Sequence, residues 1–106
     1  MTAPIRFEEG EMHTVNLNFT NFNPAAYAHA KIEVRQQEDT PVVMSFSTDN
    51  SSLTVTTTSA TFIISAALSI GKVGRYKWQI MFWNSPTDVA KLKRGDLEIQ
   101  KTLVQI

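Results

Sequence analysis

The sequence predicts an all-β protein, an antiparallel Ig-like or Greek-key β-sandwich of about seven or eight strands. Three observations predict it. Apolar and polar residues alternate through most of the chain, the period of a strand with one buried face. Turn-forming clusters interrupt that alternation every ~8–12 residues. Only Ala66-Ala67-Leu68-Ser69-Ile70 admits a helical turn, too short for an independent helix. At 106 residues the chain is expected to be one sandwich domain spanning 1–106.

Val73–Trp83 is the expected central strand. After a glycine turn, Tyr76, Trp78, Ile80 and Phe82 share one face, and Arg75, Lys77, Gln79 and Met81 share the other. Earlier in the chain, Ile5 and Phe7 fit a short strand, broken by the bend Glu8-Glu9-Gly10-Glu11. Met12–Phe19 alternates through Val15, Leu17 and Phe19. Thr20–Ala26 is rich in turn formers and reads as a loop. Tyr27–Gln36 follows, with Ala28, Ala30, Ile32 and Val34 inward and Lys31, Glu33 and Arg35 on a solvated face. The small alanines leave room for a large neighbour, expected to be Trp78 or Trp83.

Pro41 sits where a strand begins, as proline tolerates, and Val42–Ser47 and Leu53–Thr58 alternate as strands. Thr61–Ser65, with Phe62, Ile63 and Ile64 in succession, reads as a short strand buried on both sides. Asn84-Ser85-Pro86-Thr87-Asp88 turns the chain, and Val89–Leu92 is a short strand. Lys93-Arg94-Gly95 is then expected to be a tight hairpin turn using glycine at positive φ. Asp96–Ile106 closes the fold with Leu97, Ile99 and Leu103 inward.

Composition narrows the function classes. The formal net charge is zero and the densest basic cluster is Lys91, Lys93 and Arg94. Release of phosphate counterions requires a basic excess, so neither nucleic acid nor a membrane surface is an expected partner. With no cysteine, disulfides, thiolate metal sites and a cysteine nucleophile are excluded. No apolar run approaches membrane-spanning length, and the first residues lack the apolar core of a secretory signal.

The chemistry-bearing patterns are sparse. There is no Gly-x-Ser-x-Gly elbow, P-loop or Gly-x-Gly-x-x-Gly, so no catalytic, cofactor-binding or metal-binding residues are assigned and no enzymatic activity is expected. Gly74-x-Tyr76-x-Trp78 fits a tyrosine corner, a structural motif in which the phenol bonds back to an upstream backbone group. Tyr76 and Trp78 fall on the apolar face and are expected in the core. Trp83 has the opposite parity, which places it at a strand end or on the surface, where it would mark an interface. His13 and His29 lack metal-ligand spacing, Glu8, Glu9 and Glu11 lack a calcium-loop pattern, and Arg94-Gly95-Asp96 is read as a turn rather than an adhesion motif.

Four features together resemble small β-sandwich structural proteins of tailed bacteriophages and prophages, including the N-terminal domains of upper-baseplate proteins. They are Glu9-Gly10-Glu11 before the first long strand, Ile32-Glu33-Val34-Arg35 ending a strand, Gly74-x-Tyr76-x-Trp78 opening the penultimate long strand, and Leu92-x-x-Gly95-x-Leu97-x-Ile99 forming the closing hairpin. The pattern departs at Asn23-Pro24-Ala25-Ala26, where these proteins often read Asp-Leu-Thr-Gly. The resemblance implies a tail or baseplate component assembled in the host cytoplasm into a virion, with other virion subunits as partners and a homo-oligomer as one possibility. It supplies no catalytic residues. The alternatives are a carbohydrate- or receptor-binding sandwich and a head decoration protein.

Overall fold

The computed structural model describes residues 4–37 and 39–102. Eight strands run in the order β1 (Ile5–Glu8), β2 (His13–Asn18), β3 (His29–Arg35), β4 (Val42–Ser47), β5 (Leu53–Val55), β6 (Ser59–Ile64), β7 (Gly74–Ser85) and β8 (Asp88–Gln100). A single helical turn, α1 (Ala66–Ser69), lies before β7, and Pro24–Ala26 forms one 3-10 turn. The strands form a five-stranded sheet, β1-β8-β7-β3-β4, facing a three-stranded sheet, β2-β6-β5. All ladders are antiparallel except β1 on β8. With β1 as an added edge strand, the neighbour orders β8-β7-β3-β4 and β2-β6-β5 are those of immunoglobulin-type sandwiches.

Alternation decides which side chains fill the space between the sheets. Ile32 and Val34 of β3 and Trp78, Ile80 and Phe82 of β7 are buried. They face Val15 and Leu17 of β2 and Ala60, Phe62 and Ile64 of β6, also buried. Phe46 of β4 meets Phe62 across the sandwich with ring centroids 4.6 Å apart. Burying a side chain of this size stabilises by about 1.5–3 kcal/mol, so the interlayer supplies the main cohesion.

The tyrosine corner forms. Tyr76 is buried at the start of β7 and its hydroxyl donates to the Lys72 carbonyl at 2.6 Å. Burial raises the pKa of this phenol above its ordinary value. Nearby, Gly10 takes φ 75° at the bend between β1 and β2, a conformation glycine adopts without steric cost. That bend is tied to the α1 corner: Gly10 N–H donates to Ser69 Oγ at 2.8 Å and Gly71 N–H donates to Glu9 Oε1 at 3.1 Å.

Several expectations are corrected. Lys93-Arg94-Gly95 is not a turn, because β8 runs unbroken from Asp88 to Gln100 and the hairpin closes through Ser85 and Asp88 instead. Gly95 is required for a different reason. It pairs with Trp78, and a Cβ there would stand 3.0 Å from the indole Cζ2 and Nε1. The glycine accommodates a ring, not a positive φ. Ala28 lies outside β3 and is exposed. The large neighbour opposite Ala30 is Phe82 rather than a tryptophan, since Trp78 pairs with Val34 and Trp83 with His29. Ile63 points outward and is 50% exposed, so β6 is not buried on both sides. Strand β5 stops at Val55, three residues before Thr58. Tyr27 precedes β3 and packs in a loop. The expected inward placement of Leu103 and the end at Ile106 lie outside the described residues.

Candidate functional site

Two surfaces stand out once the fold is laid down. The first is the outer face of the five-stranded sheet, and the ladder register builds it row by row. His29 stands beside Trp83; Ser47, Lys31 and Met81 form the next row. Ser45, Glu33, Gln79 and Arg94 follow, then Arg35, Lys77 and Asp96. With Asp49 and Asn50 of the β4–β5 turn, these side chains other than His29 line an open trough of about 820 Å³.

The charges in the trough largely hold one another. Glu33 takes Lys31 on one carboxylate oxygen at 3.3 Å and Arg35 on the other at 3.0 Å. Arg35 also donates to the Thr40 carbonyl at 2.7 Å. Burial works against the Glu33 anion, but hydrogen bonds from Arg35 and Lys31 and their positive charges outweigh it. The pKa of Glu33 therefore lies below the ordinary carboxylate value. Lys77 pairs with Asp96.

At one end, the His29 and Trp83 rings stack with centroids 5.3 Å apart and planes 17° apart. His29 Nδ1–H donates to Asp49 Oδ1 at 2.7 Å, the only direction open because an ionised carboxylate only accepts. Gln79, half-buried in the middle of the trough, makes no side-chain hydrogen bond among the described residues.

The second surface is an end of the sandwich. Strand β7 starts there, β8 and β1 finish there, and the β1–β2 bend meets α1. Met12 is 66% exposed and Ile70 64% exposed, with Leu68 and Val73 exposed beside them in the chain. Ile63, paired with Thr14, and Val42, paired with Arg35, lie toward the same end but on the outer faces of opposite sheets. Six of the seven large apolar side chains that are exposed among the described residues thus lie in this half of the molecule, and only Val89 lies in the other.

The residues singled out from sequence divide as follows. Tyr76 and Trp78 are core, and Trp78 Nε1 is buried without an acceptor among the described residues. Trp83 is half-buried on the outer face. His13 stacks on Phe7 at the corner end, far from His29 at the opposite end, so the two histidines are not brought together. Glu9 caps Gly71 rather than joining Glu8 and Glu11 in a site. Arg94-Gly95-Asp96 lies within a paired strand, with Asp96 bound to Lys77. Sequence reasoning missed the His29–Trp83–Asp49 group. Its only signal was the parity of Trp83, because the register that sets His29 beside Trp83 joins residues 54 apart.

The chain matches no protein-family model, no curated protein and no solved structure. No helix among the described residues is long and apolar enough to cross a membrane.

Proposed function

We propose that this protein is a non-enzymatic structural component of a tailed-phage or prophage virion, belonging to the tail or baseplate and working through protein–protein assembly. The observation that carries the reading is the gathering of Met12, Leu68, Ile70 and Val73 at one end. Scattered apolar residues on a surface need no explanation, but a concentration of them favours burial against a partner. The surface is fixed in shape. The bonds from Gly10 to Ser69 and from Gly71 to Glu9 hold the β1–β2 bend on the corner, and Tyr76 ties the corner to β7. A preformed surface loses little ordering entropy on docking.

The partner is another virion subunit or a second copy of the chain, and copies that meet head to tail form a ring when their rotation closes. Three features of the resemblance support the phage setting; the fourth, Leu92-x-x-Gly95-x-Leu97-x-Ile99, lies in one continuous strand and not in a closing hairpin. The test is the solution mass of the purified chain across a concentration range, by light scattering after size exclusion. The expected result is a defined closed oligomer that Ile70→Asp converts to monomer. A strict monomer at every concentration would remove self-assembly from the proposal.

A further inference from the structure

The geometry points to a second role on a different surface: we infer that the trough on the outer face of the five-stranded sheet binds a neutral oligosaccharide. The inference does not rest on the assembly reading, because the trough and the apolar end share no residue.

Size comes first. A volume of about 820 Å³ is that of a ligand site, and the open shape suits a chain molecule lying along the sheet rather than a compact cofactor. Charge then selects among ligands. Lys31, Arg35, Lys77 and Arg94 are set against Glu33, Asp49 and Asp96. Glu33 is held by Lys31 and Arg35, Asp96 by Lys77, and Asp49 by His29. An anionic ligand would have to displace these carboxylates, and a cationic one would have to displace the bases. A neutral polyhydroxyl ligand displaces neither. It uses the carboxylate lone pairs and N–H groups left over, which the ion pairs already hold in place.

The remaining lining fits the two sides of a sugar. The Trp83 indole, with Met81 in the next row, gives an apolar surface for the C–H face of a pyranose, and His29 stacks against the indole and steadies it from outside the trough. Gln79 offers both a donor and an acceptor to hydroxyl groups, and no protein group among the described residues competes for them. A protein partner would favour a broader apolar centre than these two rows provide.

The test is a titration of the isotopically labelled full chain with maltohexaose, cellohexaose and chitohexaose, and with an oligogalacturonate as the anionic comparison. The Trp83 indole N–H and the Gln79 side-chain amide are followed by NMR. At least one neutral oligosaccharide is expected to shift both signals saturably, with a Kd on the order of 1 mM. Trp83→Ala should weaken that binding about tenfold or more, and Gln79→Ala about threefold or more. An unchanged Trp78 indole signal would show that each variant keeps its core. Three results would overturn the inference: no shift with any neutral oligosaccharide, tighter binding of the oligogalacturonate, or shifts confined to the Met12 and Ile70 end. The solution mass of the same samples reports on assembly separately, so either proposal can fail alone.

Discussion

Both ends of the sandwich carry large apolar side chains, and they use them in opposite ways. At the hairpin end, the loop between β2 and β3 folds its rings inward. Phe22 and Tyr27 pack on Phe82 at 5.1 and 6.0 Å, and Phe19 meets Phe82 edge-on at 5.6 Å. Polar groups then close the outside. Ala28 N–H donates to Asn84 Oδ1 at 2.8 Å, and the Asn84 amide donates to Asp88 at 3.0 Å. At the corner end, the connection is just as well bonded, yet Met12, Leu68, Ile70 and Val73 point outward. The fold therefore does not require exposed apolar residues at a loop-bearing end. Apart from Val89 at the hairpin end, their exposure is concentrated at the corner end, and it separates side chains that hold the monomer together from those available to a partner.

That separation can be broken by substitution, and the largest effect belongs to the hairpin end. Phe82→Ala removes a fully buried ring on which three others rest and should cost about 3–5 kcal/mol in urea unfolding. For a domain with a total stability of ~5–15 kcal/mol, this leaves a marginal fold. Gly95→Ala comes next, at about 1–3 kcal/mol, because the new methyl meets the Trp78 indole across the ladder. A hairpin-turn glycine would not report on Trp78, so a shift in Trp78 fluorescence in this variant distinguishes the two roles.

Tyr76→Phe tests the corner end from inside. Losing the bond to the Lys72 carbonyl should cost about 1 kcal/mol, with the sheet register unchanged by NMR. The smallest effect on monomer stability is expected from Ile70→Ser and Val73→Ser. Each should stay within about 0.5 kcal/mol in dilute solution while weakening assembly at high concentration. If these variants unfolded the monomer as Phe82→Ala does, the two ends would not differ in the way described.

The trough adds a pH dependence. Because the folded pKa of Glu33 is lowered, its ion pairs contribute stability above the unfolded value of about 4.3 and lose it as pH falls through the folded value. The contribution is small, since about a third of the side chain is exposed. Glu33→Gln should flatten the thermal midpoint between pH 5 and pH 3 relative to the parent, where the pH range is an approximate window set by the reference carboxylate pKa.

Alternation made the sandwich legible. Tyr76, Trp78, Ile80 and Phe82 lie inward as their parity predicts, and the tyrosine corner follows from the local spacing Gly74-x-Tyr76-x-Trp78. What parity cannot supply is register. Lys93-Arg94-Gly95 has turn-like residues, but the length of β7 demands an equally long partner, and that demand keeps β8 extended through Gly95. Ile63 shows the same limit. A run of three apolar residues does not say which of them faces out, and its pairing with Thr14 on the outer face decides it. The trough was less legible still, because it joins residues from β3, β4, β7 and β8 that only long-range pairing brings into rows. The apolar end was equally hidden, since the bonds from Gly10 to Ser69 and from Gly71 to Glu9 that join the β1–β2 bend to the α1 corner link residues about 60 apart.

The division between the two ends is tested most directly by amide hydrogen exchange measured at low and high protein concentration. The account predicts that protection rises with concentration over residues 10–14, around Ile63 and over 66–73, while 84–89 and the loop at 19–28 do not change. Protection that rises instead at the hairpin end or along the trough would contradict it.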